Sequence, residues 1–277
     1  MSYKTIVVHC DASKKVSNQL EVATDLAARF DSTLVALHAR PPFETPAFDV
    51  NFNMGPLVEA HERNIEAGQK MARTAYEKAI KGKHLPTEWR AVDGFADEAL
   101  SVNARYADLL VVGQYDESDT AVTQADLPET IALSSGRPIL VVPHIGAAMR
   151  PGKVVMLCWN ASRESARAAT DALPFLKTAE RVIVLVVDPQ KANRAHGEEP
   201  GADVATWLAR HGVKVTVQRE PAPNTDVGEV ILSRAADFSV DLIVMGVYGH
   251  SRVREMVLGG ASRTLLSSMT VPVLMSH

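Results

Sequence analysis

The chain has 277 residues, 46% of them hydrophobic and 22% charged, a composition of folded globular proteins with room for two domains of ordinary size. The 29 Lys and Arg against 33 Asp and Glu leave a net charge of -4, so the basic excess that grips a phosphate backbone is missing and no nucleic-acid partner is expected. The longest apolar runs, such as Val182 to Val187, fall far short of the roughly 20 residues of a membrane helix, so no membrane partner is expected either.

The first residues, Met1 to Lys4, lead directly into Ile6-Val7-Val8 without the apolar stretch and cleavage site of a signal peptide. A cytoplasmic location is the expectation. The β-branched run Thr5 to Cys10 reads as a strand, and Ser17 to Phe30 as a helix, because Leu20, Ala23, Ala27 and Phe30 recur every three or four residues and form one apolar face. Further strands are expected at Thr33 to Ala39, Thr87 to Val92, Asp108 to Val112 and Pro138 to Val142. Between them Pro41 to Pro56 is irregular, a lid or a long loop. A second series follows at Lys153 to Cys158, Arg181 to Val187, Val213 to Gln218, Asp241 to Met245 and Val271 to Met275. Strands alternating with helical segments predict βαβ units and a parallel sheet, hence an α/β fold. Cys10 and Cys158 sit inside strand-like runs, away from any partner at metal-ligand spacing, and read as buried and reduced.

The second series repeats the first. Cys10-Asp11-Ala12-Ser13 matches Trp159-Asn160-Ala161-Ser162, Ala107-Asp108-Leu109 matches Val240-Asp241-Leu242, and Ser134 to Val141 around Pro138 matches Ser268 to Met275 around Pro272. Three anchors in one order argue for a duplication. The expected units are residues 1–147 and 148–277, divided in the small-residue, Pro- and Gly-containing stretch Gly146 to Gly152. The apolar last strands of the two copies, exposed edges if left alone, predict pairing with each other in an intrachain pseudo-dimer. Further homodimerisation is left open, and no segment identifies a protein partner.

The common signatures of dehydrogenases, phosphate-loop enzymes, zinc proteases and serine hydrolases are missing, and the nine histidines show no metal-site spacing. Most of them read as surface residues, and no metal ligand or catalytic residue is assigned. One segment differs. After the fourth strand of the second copy, Gly246, Gly249, Gly259 and Gly260 bracket a loop containing His250 and Arg252, followed by Ala261, Ser262 and Arg263 at the start of a helical stretch. Glycines let a ligand approach the backbone, and unpaired N–H groups at a helix start favour phosphate oxygens. Ser262 offers a hydroxyl, while His250, Arg252 and Arg263 offer donors or charge. The bland alternative is a βα loop with glycines for its turns. In a doubly wound sheet of order 3-2-1-4-5 the ligand crevice lies between strands 1 and 4. That would bring Asn160, after strand 1, and Val187, at the end of strand 2, toward the nucleoside, although Asn160 serves equally well as a turn or capping residue.

These residues resemble the universal stress protein family, whose ATP-binding members carry Gly-x2-Gly-x9-Gly-Ser/Thr after strand 4. Gly246, Gly249 and Gly259 keep that spacing, with Gly260 in place of Ser/Thr and Asn160 in place of the family's strand-1 Asp. The resemblance covers the chain as a tandem pair. It implies two five-stranded parallel domains of order 3-2-1-4-5 with helices on both faces, Val187 at the adenine edge, and Ala261 and Ser262 on the phosphates. ATP or ADP is the implied ligand, with Mg²⁺ as an optional companion. The first copy departs from the pattern: Asp116 stands for Gly249, Ala125 and Asp126 stand for Gly259 and Gly260, and Glu117 and Asp119 add charge that repels phosphate. Asp11 keeps the carboxylate and is read as a helix cap or a ligand for something else. The expectation is a stress-response protein that binds one nucleotide per chain, in its second copy, as a regulatory or signalling ligand. The alternatives are an interaction module without nucleotide, or a slow ATPase in which His250 is the only local candidate base.

Overall fold

The computed structural model describes residues 2–45, 54–119, 124–146, 150–188, 199–222, 225–247 and 260–277. In the first half β1 (Thr5–His9), α1 (Val16–Phe30), β2 (Thr33–Arg40), α2 (Gly55–Ile80), β3 (Thr87–Asp93), α3 (Ala96–Ala104), β4 (Leu109–Gly113), α4 (Leu127–Ser134) and β5 (Ile139–Val142) follow one another. The second half runs β6 (Val154–Cys158), α5 (Arg163–Asp171), α6 (Leu173–Thr178), β7 (Arg181–Val187), α7 (Ala202–Arg210), β8 (Val215–Glu220), α8 (Val227–Asp237), β9 (Leu242–Gly246), α9 (Gly260–Ser268) and β10 (Val273–Ser276). All ten expected strands form within two residues of the expected ends. Of the irregular Pro41 to Pro56 stretch, residues 46–53 lie outside the described residues, and α2 already begins at Gly55. No helix among the described residues is long and apolar enough to cross a membrane.

The strands form one ten-stranded sheet in the order β3-β2-β1-β4-β5-β10-β9-β6-β7-β8. Each half is parallel with the order 3-2-1-4-5, and the halves join where β5 and β10 run antiparallel, Ile139 opposite Met275 and Val141 opposite Val273. The expected pairing of the last strands is therefore present, and it turns two apolar edges into the centre of the sheet. Leu109 to Val112 and Ile139 to Val142 are buried throughout, as parallel strands covered on both faces should be.

The matched anchors have structural reasons. Asp108 accepts hydrogen bonds from the N–H groups of Lys4 (2.7 Å) and Thr5 (2.9 Å), tying the start of β1 to β4. Asp241 does the same for β6, accepting from Gly152 (2.9 Å), Lys153 (3.0 Å) and Val154 (3.1 Å). Pro138 and Pro272 lack a donor and so stand just before their strands, each lending its carbonyl to the neighbouring strand at Leu110 and Ile243. The halves also meet through side chains. Tyr3, Phe30 and Phe175 pack with ring centroids 5.1–5.6 Å apart, the Arg29 guanidinium lies over two of those rings, and the Tyr3 hydroxyl donates to the Asp171 carbonyl at 2.7 Å. On the other face Gln114 donates through Nε2 to the Leu266 carbonyl (2.8 Å) and accepts the His144 N–H (3.1 Å).

Candidate functional site

In each half the connections leaving β1 and β4, or β6 and β9, pass to opposite faces, which opens a crevice at the carboxyl ends of these strands. The second-half crevice holds about 160 Å³ and is lined by Asn160, Val187, Gly246, Ala261 and Ser262, residues from four separate stretches of the sequence. Cys158, Trp159, Val227 and Ile231 are also part of the wall. Asn160 turns the chain out of β6: its Oδ1 accepts the Ser162 N–H at 3.1 Å, Ala161 takes φ 57°, and the Ser162 hydroxyl caps α5 by accepting the Ser165 N–H at 3.1 Å. The turn reading of Asn160 is thus realised through its side-chain oxygen, and the residue also lines the crevice. Burial pushes the Cys158 thiol up to about 12, so it stays protonated and unreactive at neutral pH.

Gly246 has a reason that the sequence alone did not suggest. A Cβ there would stand 2.4 Å from the Glu164 carbonyl carbon and 2.5 Å from the Ser165 nitrogen, so the first turn of α5 packs directly onto the end of β9. This glycine lets a helix backbone approach, and that packing forms one wall of the crevice. Gly260 opens α9, Ala261 and Ser262 lie in its first turn, and Ser262 is buried. Beside them is a residue that sequence reasoning missed. Asp226 caps α8 by accepting the N–H groups of Gly228 (2.8 Å) and Glu229 (3.3 Å), and its other oxygen would lie 3.2 Å from a Cβ on Gly260. The available signal was the Asp-x-Gly-Glu start of a helix. Among the described residues no Lys or Arg lines this crevice. Arg263, expected near it, lines a different cleft of about 460 Å³ between the halves, with Glu129, Asp116 and His144. Gly249, His250, Arg252 and Gly259 lie outside the described residues.

In the first half the space beside Asp11 is divided: a cavity of about 20 Å³ lies at the β1–β4 switch point, where His9, Asp11, Lys15 and Gly113 meet, and a neighbouring crevice of about 600 Å³ opens toward β2, α2 and α3, lined by His9, Asp11, His38 and Phe95. Strand register sets the equivalences: His9 pairs with Leu37 as Cys158 pairs with Leu185, so His9 and His38 stand where the second half has Cys158 and Val186. Asp11 makes the turn that Asn160 makes, accepting the Ser13 N–H at 3.0 Å. His9 and His38 are buried rather than on the surface, where most histidines were expected. Burial holds both imidazoles below the usual histidine range, against the opposing pull of Asp11 on each and, for His38, of the Cys10 carbonyl. His38 donates from Nδ1 to that carbonyl at 2.6 Å and lies parallel to Trp89, centroids 6.1 Å apart. The acidic loop after β4 folds on itself. Asp116 accepts from the Ser118 hydroxyl (2.6 Å) and N–H (2.9 Å), which hold its carboxyl below the ordinary range, and Asp119 accepts the Lys14 N–H at 2.7 Å.

Comparison with known proteins is consistent with this architecture. The model of the universal stress protein family matches residues 2–143 and again 152–277. A curated universal stress protein of Synechocystis sp. is 39% identical over 46 residues, a stretch that is 17% of this chain and 16% of that protein. Among solved structures, a universal stress protein from Archaeoglobus fulgidus superposes with TM-score 0.70 at 15% identity, covering 98% of this chain and 95% of its own. A protein of unknown function from Pseudomonas aeruginosa gives TM-score 0.59 at 11% identity over 99% and 92%. The two structures share the fold, and the double match of the family model spans nearly all of the sequence. The chain belongs to the universal stress protein family as a tandem pair of its domains.

Proposed function

We propose that this universal stress protein binds ATP or ADP in the second of two units, residues 148–277, as a regulatory or signalling ligand in the cytoplasm, and that the first unit, residues 1–147, binds no nucleotide. The observation that carries the reading is convergence: Asn160, Val187, Gly246, Ala261 and Ser262 border one crevice at the switch point of the second half. The first turn of α9 offers backbone N–H groups carried by the small residues Gly260, Ala261 and Ser262, a setting suited to phosphate oxygens. Gly249, His250, Arg252 and Gly259 belong to the proposal through the glycine spacing. At about 160 Å³ the crevice has the size of a base or sugar and not of a whole nucleotide, so the phosphates would extend over the start of α9. Mg²⁺, if carried in with the phosphates, would supply positive charge between them and the Asp226 carboxylate, the acidic group next to Gly260.

A second reading, an interaction module without nucleotide, draws on the same carboxylate and on the lack of Lys or Arg among the described lining residues. Calorimetric titration with ATP and ADP, with and without Mg²⁺, separates the two. A ratio of one nucleotide per chain, lost in Gly259→Arg, supports the nucleotide reading. No heat and no thermal shift supports the interaction module, and a ratio of two refutes the assignment to one unit.

A further inference from the structure

The first-half crevice contains a carboxylate, Asp11, that forms no ion pair with a Lys or Arg among the described residues, although Lys15 lines the small cavity on its other side. The Asp11 side chain is 15% exposed and accepts one N–H from Ser13 at 3.0 Å and a long contact from Gln19 Nε2 at 3.4 Å. An ionised carboxylate can accept about four hydrogen bonds, and removing it from water is costly unless a cation is nearby. The ring closest to it is His9 Nδ1 at 3.9 Å. That imidazole cannot serve as the counterion at neutral pH, since burial favours its uncharged form, and the same holds for His38. No Lys or Arg lines this crevice among the described residues.

The remaining groups define what would fit. His38 donates its Nδ1 proton to the Cys10 carbonyl, so in the neutral ring Nε2 carries a lone pair and can only accept. His9 and His38, both more than nine-tenths buried, have no hydrogen-bond partner for their remaining ring nitrogens among the described residues. The other walls include Asn64, Gln124, Ile65, Phe95 and Leu127. A carboxylate, an obligate acceptor and apolar or aromatic walls enclose about 600 Å³, far more than a bare ion needs. No three His, Cys, Asp or Glu side chains among the described residues are grouped as metal ligands.

We propose that the crevice formed by His9, Asp11, His38, Asn64, Phe95 and Leu127 is a second ligand site, for a small organic cation: an amine or amidinium group on an apolar or aromatic body. The charged nitrogen pairs with Asp11, a further N–H meets the His38 lone pair, and the body lies against Phe95 and Leu127. The site shares no residue with the nucleotide crevice and does not depend on that reading.

The test is NMR of the histidine ring nitrogens in the full chain, titrated with benzamidine, agmatine and phenethylamine, with benzoate and benzamide as charge-reversed and neutral counterparts. The His9 and His38 signals should shift saturably with at least one cation and not with benzoate. Asp11→Asn, which places in this turn the residue that Asn160 already is in the other half, should remain folded and weaken cation binding about tenfold or more. ATP binding should be untouched by Asp11→Asn and abolished by Gly259→Arg, with cation binding retained in the latter. The proposal is overturned if no cation shifts these signals, if benzoate shifts them equally, or if Asp11→Asn binds the cations as tightly as the parent chain.

Discussion

At the end of β1 the first half places His9 and Asp11, and beside them on β2 His38; at the matching positions the second half places Cys158, Asn160 and Val186. The backbone turn is the same in both, an N–H two residues on donating to the side-chain oxygen of Asp11 or Asn160 at 3.0 or 3.1 Å. One half therefore has a crevice with a carboxylate and two buried imidazoles, the other a crevice with no charged side chain among its described lining residues and small residues at a helix start. Duplication preserved what the sheet requires, and the residues free of that requirement diverged in charge and hydrogen-bonding sense. The switch-point crevice is a property of the topology. What it can hold is decided by three or four side chains.

Several changes would test whether the halves are one unit with two different mouths. The largest effect is expected for Phe175→Ala, because that ring joins Tyr3 and Phe30 across the halves. It should cost roughly 3–5 kcal/mol and shift a single denaturant transition as a whole; two separated transitions would show that the halves unfold independently. Next comes a contrast between matched glycines. Gly246→Ala drives a Cβ into the α5 backbone and should cost about 3 kcal/mol, whereas Gly113→Ala meets only the movable end of Gln19 and should cost less than about 1 kcal/mol. Equal losses in chemical denaturation would mean that the helix contact is not what requires Gly246.

Saturating nucleotide, at about 100 times its dissociation constant, should stabilise the protein by roughly 2.7 kcal/mol. The thermal shift should survive Asp11→Asn and vanish in Gly259→Arg, and the reverse pattern would place the nucleotide in the first half. The smallest effect is on acid stability. Burial lowers the folded-state pKa of His9 and His38 below 6.5, so at mildly acidic pH the unfolded chain binds protons that the folded chain does not. Their contribution is complete above pH 6.5 and declines as the pH falls through 6.5 toward the folded values. The double change His9→Cys and His38→Val, which copies the second half, should flatten that decline between pH 7 and 5 in thermal melts. An unchanged slope would assign the acid sensitivity to other groups.

The amino-acid sequence alone determined the order and type of the elements, because a strand buried on both faces must be a continuous apolar run and a helix with one buried face must repeat it every three or four residues. It also revealed the duplication through Asp108 and Asp241, whose carboxylates each tie two strands together and so recur at the same place. It marked the apolar last strands whose pairing closes the sheet at Ile139 and Met275. Only the tertiary structure decided which distant residues share a wall. His9 and His38 are 29 residues apart in sequence and look like isolated histidines until β1 and β2 lie side by side. The need for a glycine at 246 includes the close approach of α5, which no local pattern announces. Periodicity reports the environment of one element, whereas a crevice is made where several elements end together, and that meeting is fixed by non-local strand pairing.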